Sequence, residues 1–136
     1  MEMFLQRHET EVKEAGMKYF FKWDDLETEL ITPKYSPARG QKVEGEKILM
    51  GRFYYPKGPG AKRHAHPNEQ IVFIMKGRVR TIIGDEEKVV GPGEVYHIPA
   101  NTEHGGGEIL EDLEVIVCKD VVPGWSLKNA QWEKKD

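Results

Sequence analysis

His64 and His66, separated only by Ala65, are the side chains in this sequence whose types and spacing most directly suggest chemistry. In an extended segment residues i and i+2 share a face, so both imidazoles aim the same way while the Ala65 methyl faces away. Two neutral imidazoles on one strand can chelate a divalent ion, and imidazole suits zinc, iron, nickel, copper or manganese better than calcium or magnesium. A lone His-x-His is also an ordinary feature of polar loops, so its meaning rests on its surroundings. Glu69 and Gln70 follow closely, and since adjacent strand residues point to opposite faces, only one of them can join the histidines. Alternation does not choose between them, because both faces of the next run, Ile71-Val72-Phe73-Ile74-Met75, are apolar. Four of the five histidines fall between 64 and 104.

The elements that must position these groups are short and β-rich. From Ile48 onward, runs at Ile48 to Tyr55, Gln70 to Met75, Arg78 to Ile83, Lys88 to Val90, Val95 to Ile98 and Leu113 to Lys119 alternate with glycine- and proline-rich breaks. No run between 46 and 120 sustains helical periodicity, and regularly spaced strands with turn signals predict an all-β sandwich or barrel. The run at 71–75 predicts a strand covered on both sides, by the N-terminal segment, the tail or another subunit. Before residue 46 the signals are weaker. Glu9 to Glu14 predicts a short polar helix ending at Gly16, Tyr19-Phe20-Phe21-Lys22-Trp23 a short aromatic strand, and Thr32 to Gly40 a loop shaped by Pro33 and Pro37.

With this punctuation in place the chain resembles the cupins. Gly58, His64, His66, Gln70 and Gly77 stand where the first cupin motif has its marks. Gly84 to His104, with Gly91-Pro92-Gly93-Glu94-Val95-Tyr96-His97-Ile98-Pro99 inside it, resembles the second. The resemblance implies a single-domain, all-β jelly-roll barrel with a metal near its mouth. Residues 1–45 would form an N-terminal arm with short strands, 46–120 the barrel and 121–136 a C-terminal tail. It also implies the ligand set His64, His66, Gln70 and His104. Most cupins carry glutamate as the third ligand; here the spacing falls on Gln70, and Glu69 would face away and bond a basic neighbour. Homodimers are common among small cupins, so a second copy is an expected partner.

Three imidazoles and a carboxamide are all neutral, so such a site leaves a divalent ion (zinc, nickel, iron or manganese) its full charge. That favours binding oxyanions, polarising carbonyls and acidifying bound water. The expected function is therefore a metal-dependent isomerase, lyase or cyclase acting on a small substrate, a carboxylate or other oxyanion. The alternatives are an iron-dependent dioxygenase using the same site and a non-catalytic binding protein. Candidates for a general base that moves a proton are Glu103, Tyr54 and Asp120.

Other residues read more plainly. His97 is expected in the barrel wall, where a hydrogen bond from it could orient a ligand, and His8 at the surface. Arg52 and Tyr54 share a face with Met50, and Arg78 with Arg80; arginines on strands usually meet solvent. Val117 to Trp125 looks somewhat like the last strand of small cupins that convert unsaturated uronates, with Asp120 at the place of an aspartate there. Val122 replaces the aromatic residue of those proteins, and no arginine follows Pro123. Cys118 is expected to be a buried, inert thiol, and Trp125 and Trp132 to anchor the tail against the barrel or a second subunit.

Composition sets the outer bounds. The 136 residues suit one domain, and 20 basic against 23 acidic residues leave no global field for nucleic acid. No apolar run approaches the length of a membrane span and no secretory leader is visible. A single cysteine suits a reducing compartment, so a cytoplasmic protein is expected.

Overall fold

The computed structural model describes residues 19–133. In chain order the strands are β1 (Glu29–Leu30), β2 (Arg39–Glu44), β3 (Ile48–Tyr55), β4 (Gly58–Pro59), β5 (Gln70–Lys76) and β6 (Val79–Ile83). They continue with β7 (Glu86–Val90), β8 (Val95–Ile98), β9 (Glu108–Ile109), β10 (Leu113–Asp120), β11 (Trp125–Ser126) and β12 (Gln131–Trp132). A 3-10 turn at Trp23–Asp25 is the one helical element among the described residues. None of their helices is long and apolar enough to cross a membrane.

A six-stranded antiparallel sheet in the order β1-β2-β3-β10-β5-β8 faces a four-stranded sheet, β4-β9-β6-β7, and the pair forms a jelly-roll β-barrel. β10 is the spine of the larger sheet, hydrogen-bonded to β3 on one side and β5 on the other. Its period of two explains its place: Leu113, Val115, Val117 and Lys119 point inward, and the residues between them point out. Leu49, Phe53, Val72, Ile74, Val115 and Val117 of this sheet pack on Val79, Val90 and Ile109 of the other. Each such side chain contributes about 1.5–3 kcal/mol of hydrophobic stabilisation.

Close backbone approach explains two glycines. Gly77 turns the chain between β5 and β6 at φ +89°, where a Cβ would stand 2.3 Å from the Asp112 carbonyl oxygen. At Gly40 on β2 a Cβ would stand 2.0 Å from the Arg52 carbonyl oxygen of β3.

Several expectations need correction. Tyr19 to Trp23 forms no strand; Tyr19 and Phe20 are exposed, and the chain enters the turn at Trp23. The loop expected over 32–40 ends at β2, which pairs with β3 along its length. Among the described residues neither the N-terminal segment nor the tail covers the second face of β5: Val72 and Ile74 are buried, whereas Ile71, Phe73 and Met75 are exposed. Cys118 is exposed as well, because it alternates with Val117 and Lys119 and so belongs to the outer face. The polar helix expected at 9–14 and His8 lie outside the described residues.

Candidate metal centre

The loops at one end of the barrel bring His64, His66 and His104 together. His64 and His104 form an isolated antiparallel bridge, each N–H donating to the other's carbonyl at 2.9 Å. His104 also bridges to Ile83, at the end of β6. The segment carrying His64 and His66 is extended rather than a full strand; the His66 carbonyl accepts a hydrogen bond from the Asn101 N–H at 2.8 Å. The ring centroids of His104 lie 4.3 Å from His64 and 4.7 Å from His66. One ring nitrogen from each of the three falls within 4.8 Å of the others.

The outer nitrogens settle the tautomers. Nδ1 of His64 bonds the Lys62 carbonyl, Nδ1 of His66 the Asn68 carbonyl at 3.0 Å, and Nδ1 of His104 the Thr102 carbonyl at 2.8 Å. A carbonyl oxygen only accepts, so each Nδ1 carries the proton and each Nε2 keeps its lone pair. Burial lowers the proton affinity of all three rings, to a pKa of about 4 for His66 and for His104. All three are therefore neutral near pH 7, the form that binds a metal. The Tyr35 ring stacks on His64 at 4.0 Å and fixes its plane. This donor set fits a divalent transition metal: neutral nitrogen ligands, oriented from behind by main-chain acceptors.

These rings line a cavity of about 90 Å³ together with Gln70, Lys119 and Tyr96. The Gln70 side chain hydrogen-bonds the His66 ring. Glu69 goes the other way: its carboxylate lies 2.7 Å from His97 Nε2 on the outer face, where both side chains are exposed. Among the described residues no aspartate or glutamate lines the cavity. Lys119, 7% exposed, is the register partner of Gln70; burial and the positive charge of Lys42 lower its pKa to about 8. Burial also pushes up the pKa of the two cavity phenols, Tyr55 and Tyr96, which stay neutral.

The three general-base candidates are not brought to the cavity. Glu103 is exposed and pairs with Arg63 at 3.2 Å. Tyr54 is on the outer face, 5.5 Å beneath the Arg52 guanidinium, which also pairs with Asp24 at 2.9 Å. Asp120 points outward and accepts from the Glu69 N–H at 2.6 Å, which braces the link between His66 and Gln70. Arg78 and Arg80 pair with Glu111 and Glu87. Trp125 and Trp132 pack edge-to-face on each other at 5.3 Å. Reading the sequence missed Tyr35 and Lys119; the alternation of Val115 and Val117 was the available signal for Lys119.

Comparison with known proteins agrees with this geometry. The family model described as "Cupin domain" matches residues 51–117. An uncharacterized protein of Streptomyces coelicolor is 28% identical over 97 residues, 71% of this chain and 90% of that protein. Among solved structures, an RmlC-like cupin from Shewanella frigidimarina is similar with a TM-score of 0.65 at 17% identity, covering 77% of this chain and 92% of its own. Bacillus subtilis oxalate decarboxylase, whose structure is described for its Mn(II) centres, gives a TM-score of 0.65 at 19% identity over 83% of this chain and 31% of its own. At such identities the structural likeness is one of fold.

Proposed function

Because the chain carries a cupin domain, we propose that it is a metal-dependent enzyme of the isomerase, lyase or cyclase type, acting on a small oxyanionic substrate. In this reading His64, His66, Gln70 and His104 hold one divalent transition-metal ion. The observation that carries it is the trio of histidines whose Nδ1–H groups are all bound to main-chain carbonyls, leaving three neutral nitrogens directed at one cavity. A bound divalent ion would supply Lewis-acid polarisation of a substrate oxygen and acidify a bound water. Four neutral ligands would leave its charge unreduced, and among the described residues no carboxylate on the cavity wall offsets it, which favours an anionic substrate.

The protein's own groups would do the rest. Tyr35 holds the His64 ring, the main-chain carbonyls hold the tautomers, and apolar residues such as Val79, Ile98, Ile109 and Leu113 limit water around the ligand. With Glu103, Tyr54 and Asp120 facing elsewhere, a proton would move through substrate or bound water rather than through those carboxylates or that phenol.

A second copy of the chain is the proposed partner of the outer face of the larger sheet. Ile48, Met50, Ile71, Phe73 and Val95 are exposed there on three strands. Register neighbours make the patch continuous: Cys118 lies opposite both Met50 and Ile71, and Phe73 opposite Val95. An apolar surface of that kind on a folded chain marks an interaction site.

The test is metal analysis of protein purified without chelators, followed by a panel of small carboxylates assayed for isomerisation, elimination or cyclisation. Zinc, nickel or manganese at about one ion per chain with turnover of a carboxylate is the expected result. Iron with oxygen consumption would replace this reading with a dioxygenase. A metal-free protein that cannot be loaded would end it.

A further inference from the structure

We propose that Lys119 is the anion-recognition residue of the cavity, and that the group it takes is the carboxylate of a small organic acid. The inference deepens the proposed function, and rests on it in placing the substrate in the same cavity as the histidines.

Lysine is almost never buried without a counter-charge, because an enclosed, unpaired ammonium costs several kcal/mol. Lys119 is such a case. It is the inward residue at the end of β10, in register with Gln70 of β5 and Leu49 of β3, and 7% exposed. No ion pair or hydrogen bond to its ammonium is found among the described residues. Acidic groups nearby are bonded elsewhere: Asp120, which favours the ammonium only through its field, faces outward and is held by the Glu69 N–H, and Glu69 is held by His97. The cavity's other cationic side chain, Arg80, is already paired with Glu87. The remaining polar groups of the cavity are neutral: imidazoles, hydroxyls and the Gln70 carboxamide.

The counter-ion this ammonium lacks among the described residues is therefore assigned to a ligand from outside the chain. A carboxylate supplies the charge together with strong acceptor oxygens. Phosphate is disfavoured, since one ammonium offsets a single negative charge and an enclosed phosphate dianion would keep a second one uncompensated. Size agrees: about 90 Å³ holds more than one water, which needs roughly 10–15 Å³ of such space, and lies well below the roughly 300–1,000 Å³ of a drug-sized site. That admits a carboxylate on a short carbon skeleton, lodged against Val79, Ile98, Ile109 and Leu113.

The experiment titrates the full-length protein, metal-free after chelation, with acetate, acetamide and inorganic phosphate while amide resonances are followed by NMR. Zinc binding is measured separately. Acetate should bind and acetamide should not, and Lys119→Met should weaken acetate by about tenfold or more, the loss of one charge-assisted hydrogen bond. Zinc affinity should be kept or raised in the same variant, because a cation beside neutral ligands has been removed. A purely structural lysine would move none of these anion readouts. As a check that needs no variant, saturating acetate should protect Lys119 of the native sequence from reductive methylation, read by mass spectrometry. Equal binding of acetate and acetamide, tighter binding of phosphate than acetate, unchanged acetate affinity in Lys119→Met, or absence of protection would each overturn the proposal. If zinc fails to bind while Lys119-dependent acetate binding persists, the metal reading falls and this one stands. If zinc binds and acetate ignores Lys119, the reverse holds.

Discussion

Lowering the pH should destabilise the metal-free protein well before its carboxylates titrate, and the structure sets the size of the effect. His66 and His104 have their pKa values lowered by burial to about 4, whereas in the unfolded chain a histidine titrates near 6.5. As pH falls, the unfolded chain therefore binds protons first. Stability is complete above pH 6.5, drains between 6.5 and 4, and levels off below 4 for these two groups. The full loss is about 3 kcal/mol per ring, and by pH 5 it has reached about 2 kcal/mol per ring, or about 4 kcal/mol together. For a chain of this length that corresponds to a fall in Tm on the order of 10 °C or more. The assay is thermal unfolding of chelator-treated protein at pH 8, 7, 6 and 5, repeated with His66→Gln and His104→Gln. Each variant should lose its own ring's share, about 2 kcal/mol of the fall at pH 5, and keep the shares of the other two rings, whatever its stability at pH 8. A Tm that stays flat from pH 8 to 5, or a fall of undiminished size in both variants, would refute the argument that these rings are buried and neutral.

Other expectations follow from the same geometry. Gln70→Ala should weaken zinc retention by about tenfold or more, while Glu69→Ala, whose partner is His97 on the outer face, should leave it unchanged; competition with a chromogenic chelator distinguishes the two. Phe73→Glu should convert a dimer to a monomer in sedimentation equilibrium, and should expose Cys118, which shares that face, to faster modification by a thiol reagent. Gly107→Ala should cost about 3 kcal/mol or more in urea unfolding, because the new Cβ would meet the Arg80 carbonyl oxygen at 1.8 Å.

Much of the barrel was legible because a strand in a two-layer fold announces itself twice, by its side-chain alternation and by the glycine and proline that end it. Ile48–Tyr55 and Val95–Ile98 have the bounds their residues predict. β2 did not announce itself: Arg39-Gly40-Gln41-Lys42 is polar and contains the glycine that lets the chain lie against Arg52. Its strand character comes from pairing with β3, a long-range partner with no local mark. Tyr19 to Trp23 failed in the opposite sense, having strand-forming residues without a sheet edge to join. Around the site, one residue of register decided the outcome. Asp120 carried the likeness to a family aspartate, yet Lys119 faces the cavity, because each step along a strand reverses the face.

The sequence by itself determined that histidines with chelating spacing would be carried on a punctuated β-barrel, since residue type, spacing and turn chemistry are local properties. Tertiary structure alone decided which groups share the cavity. By alternation Glu69 and Gln70 were equivalent, with only the motif spacing favouring Gln70, until β8 placed His97 beside one and β10 placed Lys119 beside the other. Burial, and with it the neutrality of the imidazoles and the uncompensated charge of Lys119, depends on what two sheets jointly enclose, which no segment of the chain encodes alone.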